Sequence, residues 1–265
     1  MNPEPVRVDV RCLSKTYRLG AADVEAVKDV SFTIRRGEFV ALLGPSGSGK
    51  STVLNMIATL LRPSGGEILI DNVPSIAAKA NPNVGYVFQR DTLFPWRTIT
   101  DNIALGLELS GRSRDEKAAR VAASIRQAGL EGFENAYPSS LSGGMRQRAA
   151  LMRTLVVEPQ ILLMDEPFGA LDTHTKIDMH DVLLKIWERE KQTVLFVTHD
   201  LGEALTLADR IILFSARPGR IKESFAVDFP RPRDAVKLRE TARYAELFTR
   251  IWHSLGEEFI KSRAA

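Results

Sequence analysis

The chain has a single cysteine, Cys12, among its 265 residues. One cysteine excludes an intramolecular disulfide and any metal site built from several thiolates. We expect Cys12 to be a free, buried thiol in a reducing compartment. No apolar run approaches the roughly 20 residues that a membrane-spanning helix needs, and the first residues lack the basic and apolar regions of a signal peptide. We therefore expect a soluble, cytoplasmic protein.

Neither sign of charge dominates the sequence. Its 36 basic and 33 acidic residues leave a net charge of +3. This balance is not typical of a nucleic-acid-binding surface, so we predict no nucleic-acid partner. Internal repeats and low-complexity segments are also missing. Hydrophobic residues make up 44% of the chain, which is enough for a sizeable core in one large domain or two small ones.

A phosphate-binding loop stands near the start of the chain, in the run GPSGSGKS over 44–51. It fits the P-loop pattern and lies between a strand-like run at 39–43 and a helix-like run at 52–57. The turn from strand to helix directs backbone N–H groups and a helix N-terminus at one spot, and the glycines let the backbone wrap a phosphate chain. The predicted nucleotide-binding residues are Gly44, Pro45, Ser46, Gly47, Ser48, Gly49, Lys50, Ser51 and Thr52.

Chemical roles can be assigned within this loop and at the ends of two later apolar runs. Lys50 would reach the β- and γ-phosphates, and the Ser51 hydroxyl would be a Mg²⁺ ligand. The run at 161–166 ends in Asp165 and Glu166, and the run at 193–199 ends in His199. We predict a Mg²⁺ contact for Asp165 and polarisation of the attacking water by Glu166. His199 would contact water or the γ-phosphate, although a lone histidine is more often structural.

Three further positions are ambiguous when each is considered alone. Tyr17 either stacks on adenine or packs half-buried on its strand. Gln89 follows a predicted strand at 84–88 and either contacts Mg²⁺ and the attacking water or is a solvated loop residue. The run LSGGM at 141–145 either forms a second anion site at a helix start or is an ordinary N-cap with glycines behind it.

The alternation of apolar strands and helices predicts an α/β fold, a P-loop NTPase core with a mostly parallel sheet. An antiparallel β subdomain, starting with an edge strand at 6–10, and an inserted α-helical subdomain would complete it. Within one domain, about 6–90 and 159–227 would form the nucleotide-binding core with the β subdomain. About 91–158 would form the helical subdomain and about 228–265 a helical tail.

Five features follow one another in a fixed order: the P-loop, Gln89, the LSGGM run, the ILLMDEP run at 161–167 and His199. Together they resemble the ATP-binding subunit of an ABC transporter, and the resemblance covers almost the whole chain. The LSGGM run followed by ILLMDEP is specific to that class. The resemblance implies ATP hydrolysis with ATP and Mg²⁺ as cofactors. It implies adenine stacking for Tyr17, Mg²⁺ and partner sensing for Gln89, and a switch role for His199.

The same resemblance implies a homodimer. Ser142, Gly143 and Gly144 would be the signature that binds the γ-phosphate of ATP held by the other subunit, and Asp172 would be the D-loop aspartate. Met145 departs from the family pattern, which usually has glutamine there. Because the serine and glycines are intact, we expect hydrolysis to survive with altered dimer contacts.

A narrower resemblance is to importer subunits of the nitrate/sulfonate/taurine group. It is carried by DTLFPWR at 91–97, by DEPFGALD at 165–172 and by the short tail after Val227. It implies transmembrane permease partners that face the stretch at 95–96, and an indirect periplasmic or extracellular solute-binding protein. It also implies a peripheral location on the cytoplasmic face of the inner (cell) membrane.

Three other functional classes differ from the importer in what they require of the sequence. An ABC ATPase of DNA repair would need long coiled-coil heptads where 91–158 has short helical patterns. A non-catalytic nucleotide-binding module is disfavoured by the presence of Lys50, Asp165, Glu166 and His199. An ABC ATPase that energises an exporter, or imports a different class of solute, remains open.

Overall fold

Two β-sheets organise the chain in a computed structural model, which describes residues 4–20, 22–75, 81–108 and 110–264. The strands are β1 (Val6–Leu19), β2 (Ala22–Arg35), β3 (Phe39–Leu43), β4 (Gly65–Ile70), β5 (Val73–Pro74), β6 (Val84–Val87), β7 (Ile161–Asp165), β8 (Thr193–Thr198), β9 (Arg210–Phe214) and β10 (Ile221–Ala226). The α-helices are α1 (Lys50–Ile57), α2 (Ile99–Glu108), α3 (Arg114–Gln127), α4 (Gly143–Leu155), α5 (Thr173–Glu190), α6 (Leu201–Leu207) and α7 (Ala242–Ala264), and short 3₁₀ turns occur at Pro138–Ser140 and Lys237–Glu240.

The larger sheet has the strand order β10-β9-β3-β8-β7-β6. Its five strands from β9 to β6 are parallel, and β10 is antiparallel to β9. Strands β3 and β8 are buried along their whole length. A parallel strand covered on both faces needs the continuous apolar runs seen here. The predicted mostly parallel sheet is therefore present, and the carboxyl ends of β3, β7 and β8 lie along one edge.

The smaller sheet is antiparallel and has the order β2-β1-β4-β5. The prediction of an edge strand at 6–10 is wrong, because β1 pairs with β2 on one side and with β4 on the other. The alternation of apolar and polar residues at 6–10 marks a sheet with one covered face, and it does not distinguish an edge strand from a central one.

Cys12 is exposed, so its predicted burial is also wrong. The register of β1 against β2 shifts between Val10 and Leu13, and Cys12 has a φ of 47°. This irregularity lets Val10 and Leu13 both face the core, although they are three residues apart. The intervening cysteine is turned outward as a result.

Helices α2, α3 and α4 occupy the predicted helical segment. Ser113 caps α3 in a capping box with Glu116, and Ser142 caps α4. Buried residues of these helices belong to the same apolar cluster as one face of the large sheet. The tail adds Leu247, Ile251 and Leu255 of α7 to that cluster. None of the helices within the described ranges combines the length and apolar character that crossing a membrane requires.

Candidate functional site

The P-loop joins the central strand β3 to α1, as its sequence predicted. Gly47 and Gly49 have φ values of 77° and 87°, a left-handed conformation that favours glycine. At Gly49 a Cβ atom would also lie 2.7 Å from the Ala26 carbonyl oxygen of β2. The loop is therefore wedged against the small sheet, and the N-terminus of α1 opens toward the space above it.

Lys50 is 4% exposed and reaches back into this loop. Its Nζ donates to the carbonyl oxygens of Gly44 (2.9 Å) and Pro45 (2.8 Å) and lies 3.3 Å from the Ser48 hydroxyl. Burial lowers the pKa of Lys50 from its ordinary value of 10.5 to about 8, against the opposing effect of Glu166 and Asp165. An anionic ligand in the loop would raise this pKa again and favour the charged form of the amine.

Ser51 and Asp165, separated by 114 residues, meet beneath the loop. The Ser51 hydroxyl donates to Asp165 Oδ1 at 2.7 Å, and the Tyr86 hydroxyl lies 3.4 Å from Asp165 Oδ2. Burial raises the pKa of Asp165, and its hydrogen bond from Ser51 opposes that shift. A hydroxyl and a carboxylate side by side supply the oxygen ligands that Mg²⁺ prefers. Oxygens of the nucleotide and of water would complete the coordination shell of the ion.

Glu166 and His199 form the second pair at this edge. His199 Nδ1 lies 2.9 Å from Glu166 Oε2, and the Glu166 backbone N–H donates to the Val197 carbonyl at 2.9 Å. These contacts arise because β7 and β8 are adjacent parallel strands that end together. Glu166 has a φ of 43°, a left-handed conformation that is uncommon for a residue with a side chain.

A cleft of about 440 Å³ opens over the P-loop. Tyr17 of β1 borders it, with its hydroxyl 3.4 Å from Thr52 Oγ1. Half of the predicted nucleotide-binding residues are in its wall, together with Gln89, whose role from sequence alone was ambiguous. The lining comprises Tyr17, Val24, Ala26, Ser46, Gly47, Gly49, Lys50, Ser51, Thr52, Gln89, Glu166 and Arg217.

Arg217 and Tyr86 are the polar residues that sequence reasoning missed here. Arg217 comes shortly after β9, the last parallel strand. Since ligands bind beyond the carboxyl ends of parallel strands, that position was the one signal in the sequence for a role of Arg217. Tyr86 also bonds Asn55 Oδ1 at 2.9 Å, and it lay inside an apolar strand pattern with no signal of a polar role.

The remaining predicted contacts lie elsewhere. Among the residues whose positions are described, Ser142, Gly143, Gly144 and Asp172 are absent from the cleft wall. Ser142 and Gly143 are exposed at the start of α4, where Ser142 Oγ accepts from the Met145 N–H at 3.3 Å. Asp172 is exposed too and caps α5 by accepting from the His174 and Thr175 N–H groups.

The signature and the cap of α5 are packed on each other. A Cβ atom on Gly144 would lie 2.4 Å from Thr175 Cγ2, so any larger residue here would force the Thr175 side chain to shift. Thr175 Oγ1 in turn donates to Asp172 Oδ2 at 2.7 Å. The chain thus presents two separate groups of predicted nucleotide contacts, one in the cleft and one on the surface.

Comparison with known proteins decides the family. Residues 27–169 match the family model described as ABC transporter. The chain belongs to the ABC transporter family. Its predicted family and α/β P-loop fold are thereby confirmed, and this ABC protein is an ATP-binding subunit with ATPase activity.

Named relatives and a solved structure refine the placement of this ABC subunit. It is 42% identical to the aliphatic sulfonates import ATP-binding protein SsuB of Bacillus cereus, over 85% of this chain and 88% of that protein. It is 44% identical to the taurine import ATP-binding protein TauB of Rhizobium johnstonii, over 84% and 86%. A dimeric post-hydrolysis structure of the ATP-binding cassette MJ0796 with ADP and Pi is similar at a TM-score of 0.73 and 35% identity, covering 84% of this chain and all of that one.

Proposed function

We propose that this chain is the ATP-hydrolysing subunit of an importer of the nitrate/sulfonate/taurine group. A homodimer would bind a transmembrane permease on the cytoplasmic face of the membrane and couple ATP hydrolysis to solute uptake, with a solute-binding protein acting through the permease. The names of SsuB and TauB support the sulfonate and taurine class. The dimeric neighbour supports the homodimer.

The observation that carries the proposal is the separation of the two groups of predicted contacts. The cleft wall contains part of the P-loop, with Ser51 and Glu166, and these two contact Asp165 at 2.7 Å and His199 at 2.9 Å. The signature residues Ser142 and Gly143 instead face solvent. An exposed helix start with free N–H groups is suited to an anion that arrives from outside. A second copy of the chain, carrying ATP in its own cleft, would supply that anion.

Within the cleft, catalysis would consist of positioning and charge stabilisation. The loop N–H groups and Lys50 would hold the phosphates, and Tyr17 would stack on adenine. Ser51, Asp165 and Gln89 would hold Mg²⁺, which supplies positive charge to the phosphate oxygens when bound. Glu166 would accept a hydrogen bond from the attacking water. His199, whose Nδ1 lies 2.9 Å from Glu166 Oε2, would orient the Glu166 carboxylate and reach the γ-phosphate.

In the proposed dimer, Ser142, Gly143 and Gly144 of one subunit would contact the γ-phosphate held by the other, with Asp172 beside them. Two ATP molecules would hold the dimer closed, and loss of the γ-phosphate contacts would reopen it. Movement of the two subunits would then be transmitted to the permease.

The segment at 91–97 is a suitable permease-facing surface. Phe94 and Trp96 stack with ring centroids 5.1 Å apart, and Trp96 is 71% exposed. An exposed tryptophan supported by a half-buried phenylalanine is typical of an interaction site. A DNA-repair ATPase is not supported, since α2, α3 and α4 have 10, 14 and 13 residues and are too short for coiled-coil arms.

The substitution Glu166→Gln tests the catalytic assignment. We expect it to leave ATP affinity within about twofold and to lower turnover by about 100-fold or more, as expected when a catalytic acid–base group is lost. Size-exclusion chromatography with ATP and Mg²⁺ should then show a dimer that persists. Unchanged turnover would remove Glu166 from its role, and a monomer at saturating ATP would contradict the two-copy site.

The solute class needs a separate measurement with the cognate permease in vesicles. We expect ATPase activity to rise when the binding protein is loaded with taurine, an alkanesulfonate or nitrate. Stimulation by a sugar or an amino acid, with none by these three anionic or sulfonated solutes, would contradict the proposed class while leaving the ATPase assignment intact.

A further inference from the structure

Arg217 borders the nucleotide cleft, yet no motif of the sequence assigns it a role. We propose that Arg217 binds the phosphate chain of the nucleotide, and that the C-terminal helix α7 holds it in place through Glu258. The proposal rests on the proposed function only in requiring that the cleft binds ATP. It does not depend on the dimer, the permease or the solute.

The position of Arg217 relative to the P-loop is the first argument. Its guanidinium Nη2 lies 3.9 Å from the position that a Cβ atom would take on Gly47, at the turn of the loop. Ser46, Gly47 and Arg217 share the same cleft wall. A phosphate chain that is wrapped by this loop therefore passes within reach of a long cationic side chain.

The second argument is that the guanidinium is unengaged. Across the described stretches of the chain, Arg217 is exposed and its side chain has no hydrogen bond and no ion pair. The other cation of the cleft, Lys50, donates instead to the loop carbonyls. An arginine offers five N–H donors in a planar fork that matches phosphate oxygens, so an available arginine beside a P-loop is suited to this ligand.

Close packing fixes the loop that carries Arg217. A Cβ atom on Gly219 would lie 1.9 Å from the Ser48 carbonyl oxygen, so this loop and the P-loop are in direct backbone contact. The Gly219 N–H donates to the Ala26 carbonyl at 3.0 Å, and its carbonyl accepts from the Lys28 N–H at 2.9 Å. Ordering a ligand-binding side chain costs less when its backbone is already fixed.

The C-terminal helix supports the same loop from the other side. Glu258 of α7 is 1% exposed and accepts from the Ala216 N–H at 2.9 Å, next to Arg217. Its other oxygen lies 3.0 Å from Lys222 Nζ and 2.7 Å from Lys261 Nζ. This buried, doubly paired carboxylate connects the tail to the rim of the cleft.

The test measures the Kd of ATP, ADP and AMP for the isolated full-length chain without Mg²⁺, so that neither hydrolysis nor transport contributes. Arg217→Ala should weaken ATP binding by about tenfold, which corresponds to about 1.4 kcal/mol. The loss should be smaller for AMP, and Arg217→Lys should restore part of it. Arg220→Ala, on the same loop and outside the cleft wall, is the matched control and should stay within twofold.

A loss below twofold for ATP in Arg217→Ala would overturn the proposal, as would an equal loss for ATP and AMP. Failure of the wild-type chain to bind ATP would instead be a failure of the proposed function. Glu258→Gln keeps the volume of the side chain and should weaken ATP binding two- to threefold. In an Arg217→Ala background it should add nothing, and an additive effect would exclude action through Arg217.

Discussion

The cleft and the signature segment differ in what holds them. Cleft contacts join distant parts of the chain: Ser51 and Asp165 are 114 residues apart, and Tyr17 and Thr52 are 35 apart. At the signature the capping hydrogen bond is local, from the Met145 N–H to Ser142 Oγ three residues earlier, and Gly144 packs on the cap of α5. The cleft is therefore built by contacts between distant segments, whereas the signature is an exposed, capped helix start whose ligand, in the proposed dimer, would come from a second copy.

The substitution Gly143→Asp should have the largest effect on turnover while leaving the cleft intact. A Cβ atom on Gly143 would meet nothing within 4 Å, so the isolated subunit should fold and bind ATP normally. The new carboxylate would repel a γ-phosphate presented by a second copy. We expect turnover to fall by about 100-fold, comparable to the loss of one charge-stabilising donor. A steady-state ATPase assay and an ATP-binding titration measure the two effects.

If Gly143→Asp weakened ATP binding to the isolated subunit as much as it lowered turnover, the signature would belong to the same-chain site. Equal turnover in mutant and wild type would instead remove the signature from the reaction altogether. Ser140→Asp is a suitable control, because it is also exposed and lies just before the signature.

Gly144→Ala should have a smaller effect, and on stability. Its Cβ would lie 2.4 Å from Thr175 Cγ2, and rotating Thr175 away would break the hydrogen bond to Asp172. Overpacking of this kind costs about 1–3 kcal/mol. Chemical denaturation should show that loss for Gly144→Ala and a change below about 0.5 kcal/mol for Gly143→Asp. The reverse order would contradict the close packing of α4 on the cap of α5.

The smallest expected effect is the pH dependence of the cleft. Because burial lowers the pKa of Lys50 to about 8, the unliganded amine loses its proton as pH rises from 7 to 9. Phosphate binding needs the charged form, so the Kd of ATP should rise through this range, by about tenfold at most at pH 9. The Lys50→Arg variant should bind ATP with a nearly constant Kd, and a wild-type Kd that is flat or falls would contradict the prediction.

The same shift has a defined sign for stability. Between pH 8 and 10.5 the unfolded chain holds a proton on Lys50 that the folded chain has released. The contribution of Lys50 to the free energy of unfolding should therefore increase with pH between pH 8 and 10.5. Below pH 8 the buried, charged Lys50 lowers the free energy of unfolding. Urea denaturation of wild type and Lys50→Arg at pH 7.5 and pH 9.5 would isolate that difference.

Local patterns predicted much of the site. The P-loop was readable because its glycines, lysine and serine act through adjacent backbone, and Asp165, Glu166 and His199 followed from the rule that parallel strands end at one edge. The cap at Ser142 was equally local. Arg217 and Tyr86 were missed because their roles depend on contacts with segments far away in sequence.

The errors have the same origin. The edge assignment for 6–10 failed because strand order is set by pairing with β4, some 60 residues later. The prediction that Cys12 is buried failed because a register shift in β1 turns its side chain outward. The sequence left the roles of Gln89 and Tyr17 ambiguous, and only the fold brings both into the wall of one cleft.

Local sequence specifies three features: a loop suited to phosphates, carboxylates at a strand end, and a glycine-flanked helix cap. Each can be read from the sequence because it consists of residues within a few positions of one another. Tertiary structure alone decided which of these groups meet. It brought Ser51 to Asp165 and left Ser142 on the surface, because sheet pairing and helix packing are set by contacts between segments that no local pattern specifies.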